Sequence, residues 1–156
     1  DETDRQLAQE SLFIGLAQSS FKQSLGRGDF LIRNLVGVDP NVGAIAIADR
    51  VRPGQRIQFH LRDAHTAQDD LAALLETYRA DHQGLVAPAG ALLFACNGRG
   101  TSLFDVPNCD TEQFSRQLGP VPLGGFCCNG EIGPVGKTTF LHGFTSVFGI
   151  CRELDS

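Results

Sequence analysis

Alternation between apolar and polar positions is clearest from Arg56 to Arg62. Ile57, Phe59 and Leu61 fall on one face and Arg56, Gln58, His60 and Arg62 on the other, the period of a strand with one covered face. Upstream, Phe30 to Val38 is rich in apolar and β-branched residues and predicts a strand. Asp39-Pro40-Asn41-Val42-Gly43 is a turn signal, and Ala44 to Ala48 follows as a second strand with Ile45 and Ile47 on one face. Arg52-Pro53-Gly54-Gln55 makes another turn. Strands so close in sequence are expected to form an antiparallel meander. Before them, Leu12 to Ala17 is an apolar run that suits either strand or helix, and residues 1–11 read as a linker or a frayed segment.

The period then changes. Leu71, Leu74, Leu75 and Tyr78 recur at i, i+3, i+4 and i+7, one stripe of a helix that Asp63 or Thr66 would cap and Gly84 would end. Gly90 to Ala95 is a continuous apolar run, as expected of a strand covered on both faces. Asp110 with Gln113 predicts a capping box for a short helix carrying Phe114 and Leu118, stopped at Gly119-Pro120. From 121 to 151 the only charged residues are Glu131 and Lys137, among seven glycines. That stretch reads as two strands, Leu123 to Asn129 and Thr138 to Cys151, joined by a Gly-Pro loop. The expected fold is α/β (α+β): a single mixed β-sheet, an antiparallel meander plus β-α-β-α-β-β, with helices packed on the sheet. Two crossover helices would make the strands at 57–62, 90–95 and 123–129 parallel.

Length and composition narrow the classes. A chain of 156 residues fits one domain that needs neither disulfide nor metal to fold. With 42% hydrophobic and 20% charged residues it is not a disordered chain. The net charge of −5 and scattered arginines, apart from Arg50, Arg52 and Arg56 around a turn, argue against nucleic acid as a partner. No run approaches the roughly 18 apolar residues of a membrane span, and no start resembles a signal peptide. The absence of Met suggests numbering that begins inside a longer chain or after processing. Five cysteines without framework spacing, two of them the neighbours Cys127 and Cys128, favour a reduced, cytoplasmic setting.

One internal echo carries candidate chemistry. Phe94-Ala95-Cys96-Asn97-Gly98 and Phe126-Cys127-Cys128-Asn129-Gly130 both spell Phe-x-Cys-Asn-Gly at the carboxyl end of an expected strand, followed by Arg99 and Glu131 respectively. Ligands of open α/β sheets bind outside such strand ends. Gly permits close backbone approach, and Asn offers both a donor and an acceptor. Arg99 suits a carboxylate and Glu131 an ammonium, so the two ends together suggest a zwitterion clamp, with His142 nearby. A strand-end Asn-Gly is also a common turn.

Other signals weigh less. Gly136-Lys137-Thr138 lacks the P-loop's earlier Gly, since position 131 is Glu, and it leads into a strand pattern. Arg27-Gly28-Asp29 is an adhesion tripeptide by spelling alone. His60 and His65 read as solvated residues, and no Cys or His has metal-ligand spacing. His142, in register with Phe140, Phe144 and Phe148, reads as a core histidine, and Cys96 and Cys128 as small buried hydrophobes or, less readily, thiol nucleophiles. No metal and no cofactor are expected.

Cys96-Asn97-Gly98-Arg99-Gly100, Gly125-Phe126-Cys127-Cys128-Asn129-Gly130-Glu131-Ile132-Gly133-Pro134-Val135-Gly136, Phe140-Leu141-His142 and Arg33-Asn34-Leu35-Val36-Gly37-Val38-Asp39-Pro40 resemble the C-terminal domain of the FIST family. The resemblance covers roughly residues 12–151, so residues 12–156 are taken as a FIST C-terminal-like domain. It implies an intracellular sensory or signal-transduction module that binds a small ligand such as an amino acid, and the leading expectation is a non-enzymatic sensory domain. It further implies a FIST N-terminal domain or another protein as partner, and substrate recruitment in the related F-box proteins. The residues expected to carry binding are Cys96, Asn97, Gly98, Arg99, Cys128, Asn129, Gly130, Glu131 and His142. A protein-docking module is the alternative, and a thiol-dependent enzyme a further one.

Overall fold

A computed structural model describes residues 11–19 and 21–153. The segment read as a linker, residues 1–11, therefore lies almost wholly outside the described residues. The fold is mixed α+β, with nine strands and three α-helices among the described residues. The expected single sheet is instead three: a four-stranded sheet, a three-stranded sheet and a two-stranded ribbon. The described residues form two compact units, one within 1–63 with 134–140, the other within 64–133 with 141–156.

In the first unit, β1 (Leu12–Ala17), β2 (Phe30–Asp39), β3 (Ala44–Ile47) and β4 (Ile57–Leu61) are arranged β3-β2-β1-β4, all antiparallel. This corrects the meander of consecutive strands. β1 is apolar on both sides, and Phe13, Ile14, Leu16 and Ala17 are buried, so it takes the centre and separates β2 from β4. Leu16 faces Leu31 on one side and Ile57 on the other. The close fit at Gly15 is set by His60: a Cβ at position 15 would stand 2.4 Å from His60 Nε2. His60 also packs edge-on against Phe30, with ring centroids 5.1 Å apart. It is therefore not the solvated histidine that the alternation suggests.

In the second unit, β5 (Gly90–Cys96) lies between β6 (Leu123–Cys128), parallel, and β9 (Ser146–Cys151), antiparallel. The expected parallel pairing of the strands at 90–95 and 123–129 is present, but β4 belongs to the other sheet. The helices of this unit are α1 (Ala64–Asp81), the single turn α2 (Thr101–Phe104) and α3 (Cys109–Leu118), and α1 and α3 cover one face of the sheet. Leu71 and Leu75 of α1, Ala91 of β5 and Phe114 of α3 form the core, with Leu123, Phe148 and Ile150 against it. Phe114 stacks on Phe148 at 5.1 Å. Leu74, counted in the apolar stripe of α1, is 68% exposed. Gly119 ends α3 with φ +81°, but its N-cap is Asn108 and makes no side-chain cap bond. Asp110 is not a cap, and its carboxylate pairs with Arg99 instead.

The segment read as a Gly-Pro loop is strand β7 (Glu131–Val135), paired with β8 (Thr138–His142) around Gly136, φ +61°. The single strand expected from Thr138 to Cys151 is broken after His142, where Phe144 takes φ +60°. Among the described residues no helix is long and apolar enough to cross a membrane.

Candidate functional site

The two copies of Phe-x-Cys-Asn-Gly meet in register. Along the parallel pair β5–β6, Phe94 faces Phe126, Ala95 faces Cys127 and Cys96 faces Cys128. Gly125 permits this approach: at φ +156°, a Cβ there would lie 1.9 Å from the carbonyl oxygen of Leu93. Phe94 and Phe126 then make an edge contact at 5.2 Å. The Asn-Gly pairs consequently leave neighbouring strand ends together, which is the placement the echo predicts.

Each copy leads into a buried charged residue that is satisfied from within the unit. After β5 the chain makes a turn of 3-10 helix (Asn97–Arg99) and then α2. Arg99, 9% exposed, donates from Nε and Nη2 to the two carboxylate oxygens of Asp110 at 2.9 and 2.7 Å. Its guanidinium also lies 5.3 Å from the centre of the Phe104 ring. The Ser146 hydroxyl donates to Asp110 at 2.6 Å. A fork-to-fork pair of this kind fixes orientation as well as distance, so it ties the loop after β5 to α3 and to the start of β9.

Glu131 is 1% exposed and forms no ion pair among the described residues. One carboxyl oxygen accepts from the Gly130 amide at 3.2 Å and the Cys128 thiol at 3.4 Å. The other accepts from the Thr145 amide at 3.3 Å and its hydroxyl at 3.0 Å. Four donors offset the cost of burying the group, and they clip the turn after β6 to the start of β9. Burial and the adjacent Glu131 push the Cys128 thiol above its ordinary range, the opposite of what a thiol nucleophile needs. Cys96 is buried, and all five cysteines are free.

Two amides stay outside this network. Asn97 and Asn129 are exposed, and neither side chain has a hydrogen-bond partner among the described residues. Gly98 and Gly130 beside them are half-buried. His142 is also half-buried, and its Nε2 pairs with the Gly133 carbonyl at 3.0 Å. The strand ends are thus two solvated amides on loops held by two buried charges. Asp110, Thr145 and Ser146 complete that frame and were not legible as site residues. Only the buried charges need them, and nothing in their local spelling announces a long-range partner. Among the described residues, no group of His, Cys, Asp and Glu side chains is arranged to hold a metal ion.

The chain belongs to the FIST C domain family, which it matches over residues 1–134. This is a family of signal-transduction sensory domains and not a known family of enzymes. An uncharacterised protein of Mycobacterium tuberculosis is 43% identical over 143 residues, 92% of this chain and 37% of its own length. A second, from Mycobacterium bovis, is 43% identical over 143 residues, 92% of this chain and 36% of its own. An F-box/LRR-repeat protein of Arabidopsis thaliana is 29% identical over 113 residues, 63% of this chain and 21% of its own. The chain therefore spans little more than a third of the mycobacterial relatives. No solved structure matches it.

Proposed function

We propose that this domain senses a small polar metabolite, an amino acid or a close analogue, at the paired strand ends. The observation that supports the reading is the register of the two Cys-Asn-Gly copies, in which Cys96 faces Cys128 at the carboxyl ends of parallel strands and Asn97 and Asn129 follow. Asn97, Asn129 and the backbone at Gly98 and Gly130 would contact the ligand. Arg99 and Glu131 would hold those loops in place, with Cys96, Cys128 and His142 behind them. For Arg99 to grip a ligand carboxylate directly, that carboxylate must displace Asp110, so a direct clamp is the less favoured form of the same idea.

Calorimetry with a panel of amino acids tests it. Asn97→Ala and Asn129→Ala should each weaken binding by several-fold, the scale of one neutral hydrogen bond, while thermal melts stay unchanged. Binding that survives both substitutions would remove the strand ends as the site.

A second reading, a module that docks another protein domain such as the family's N-terminal partner, has its own support. The face of the β6-β5-β9 sheet opposite the helices carries Leu92 at 49% and Phe126 at 63% exposure, where a parallel pair is ordinarily covered on both faces. Leu92→Asp with Phe126→Asp would abolish association with that domain and leave amino-acid binding intact.

A further inference from the structure

In the first unit, away from the strand ends in sequence, lies a concavity of about 490 Å³, within the size range of small-molecule sites. Its lining is more polar than apolar, and the apolar part includes the buried Leu16 and Leu31 with Phe140. One wall is the segment leading into a tight turn. Gln55 N–H donates to the Arg52 carbonyl at 3.0 Å, Pro53 occupies the second turn position and Gly54 the third at φ +83°, the pattern of a type II turn. The Gln55 side-chain oxygen accepts from the Arg52 amide at 3.2 Å, which braces the turn from within.

The charges on that wall are unequal. The one carboxylate, Asp49, is already matched: Arg33 Nε donates to it at 2.6 Å and the Arg50 amide at 2.7 Å. That pairing with Arg33 holds the Asp49 carboxyl below the usual carboxylate range. The guanidiniums of Arg50 and Arg52 have no partner among the described residues. They stand two apart in an irregular stretch, and the residue before a proline is biased towards extended backbone, where such positions share a side. Arg56, by contrast, is engaged with the carbonyls of Ser19, Lys22 and Gln23. In a chain of net charge −5, two unmatched guanidiniums beside a hollow whose lining includes apolar side chains form a local cationic site.

We propose that this hollow binds a small organic anion, a carboxylate or phosphate monoester with an apolar body, with Arg50 and Arg52 holding the anionic head and Leu16, Leu31 and Phe140 the body. The site belongs to the first unit, and its test is independent of the strand-end reading. Calorimetry at low salt with benzoate and phenyl phosphate, against the neutral benzyl alcohol, reads it directly. Saturable binding of either anion, with none of the alcohol, is expected. Tighter benzoate assigns the head group as carboxylate, and tighter phenyl phosphate as phosphate. Arg50→Gln and Arg52→Gln should each weaken binding about tenfold, the scale of a charge-assisted hydrogen bond, without moving the melting temperature, because neither guanidinium holds the fold. Asn97→Ala should leave the affinity unchanged. No saturable binding of either anion, equal binding of the alcohol, or binding indifferent to both arginine substitutions would overturn the proposal.

Discussion

Arg99 and Asp110 form a buried pair whose side chains are 8% and 9% exposed. Attraction between them offsets two desolvation costs, so the penalty for losing one partner exceeds the net worth of the pair. Arg99→Leu should therefore lower unfolding free energy by about 3–5 kcal/mol. Arg99→Leu with Asp110→Leu should lower it by less, and chemical denaturation of both variants checks the order. His60 offers a second residue-scale test. Burial pushes its pKa below the ordinary histidine value, and its Nε2 has no hydrogen-bond partner among the described residues. The unfolded chain then binds a proton at about pH 6.5 that the folded chain refuses. Stability should fall as pH drops from about 7 through that value, and level off only below the depressed folded pKa. Melting curves across pH 7 to 5, expected on that scale of values, should show a shallower decline in His60→Leu than in the parent. An equal slope in both would mean that other groups carry the dependence.

Among the elements, β5 is the hinge of the second unit, since both of its edges are occupied, by β6 and by β9. Both partners come from the stretch 121–151 that is almost free of charge. Removing everything after residue 120 would bare both edges of β5 and uncover Phe114. The fragment 1–120 should therefore be insoluble or molten, and a soluble fragment that unfolds cooperatively would count against this account. Elements of this kind were legible in the sequence because their signals are local. Gly90 to Ala95 is apolar without interruption, and the register of the Cys-Asn-Gly copies follows from two strands joined through helices. The break at Phe144 and the strand at Glu131–Val135 were hidden. A non-glycine residue at positive φ is held there by tertiary contacts, and the Gly and Pro of β7 spell a turn wherever no partner strand is at hand. The candidate site divides in the same way. Asn97, Gly98, Asn129 and Gly130 could be named from spelling, whereas the use of Asp110 and Thr145 depends on which loops the fold brings together.

At the scale of the whole molecule, local signals pointed to one sheet where there are three. Short turns between β2, β3 and β4 favour neighbours in sequence, but an entirely apolar strand is worth most between two others, and β1 takes that position. The arrangement has a kinetic side. Of the described elements, β1 leaves the ribosome first, and it cannot complete its second ladder until β4 follows, with Leu12 opposite Leu61. At the usual synthesis rate of about 5–20 residues per second, the most apolar strand of the sheet waits a few seconds with one edge bare. Residues 134–140, made later still, also belong to this unit. The unit begun first thus stays unfinished until residues 134–140 follow the whole of 64–133, and its vulnerable interval is set by translation rather than by the strength of any contact in the folded state.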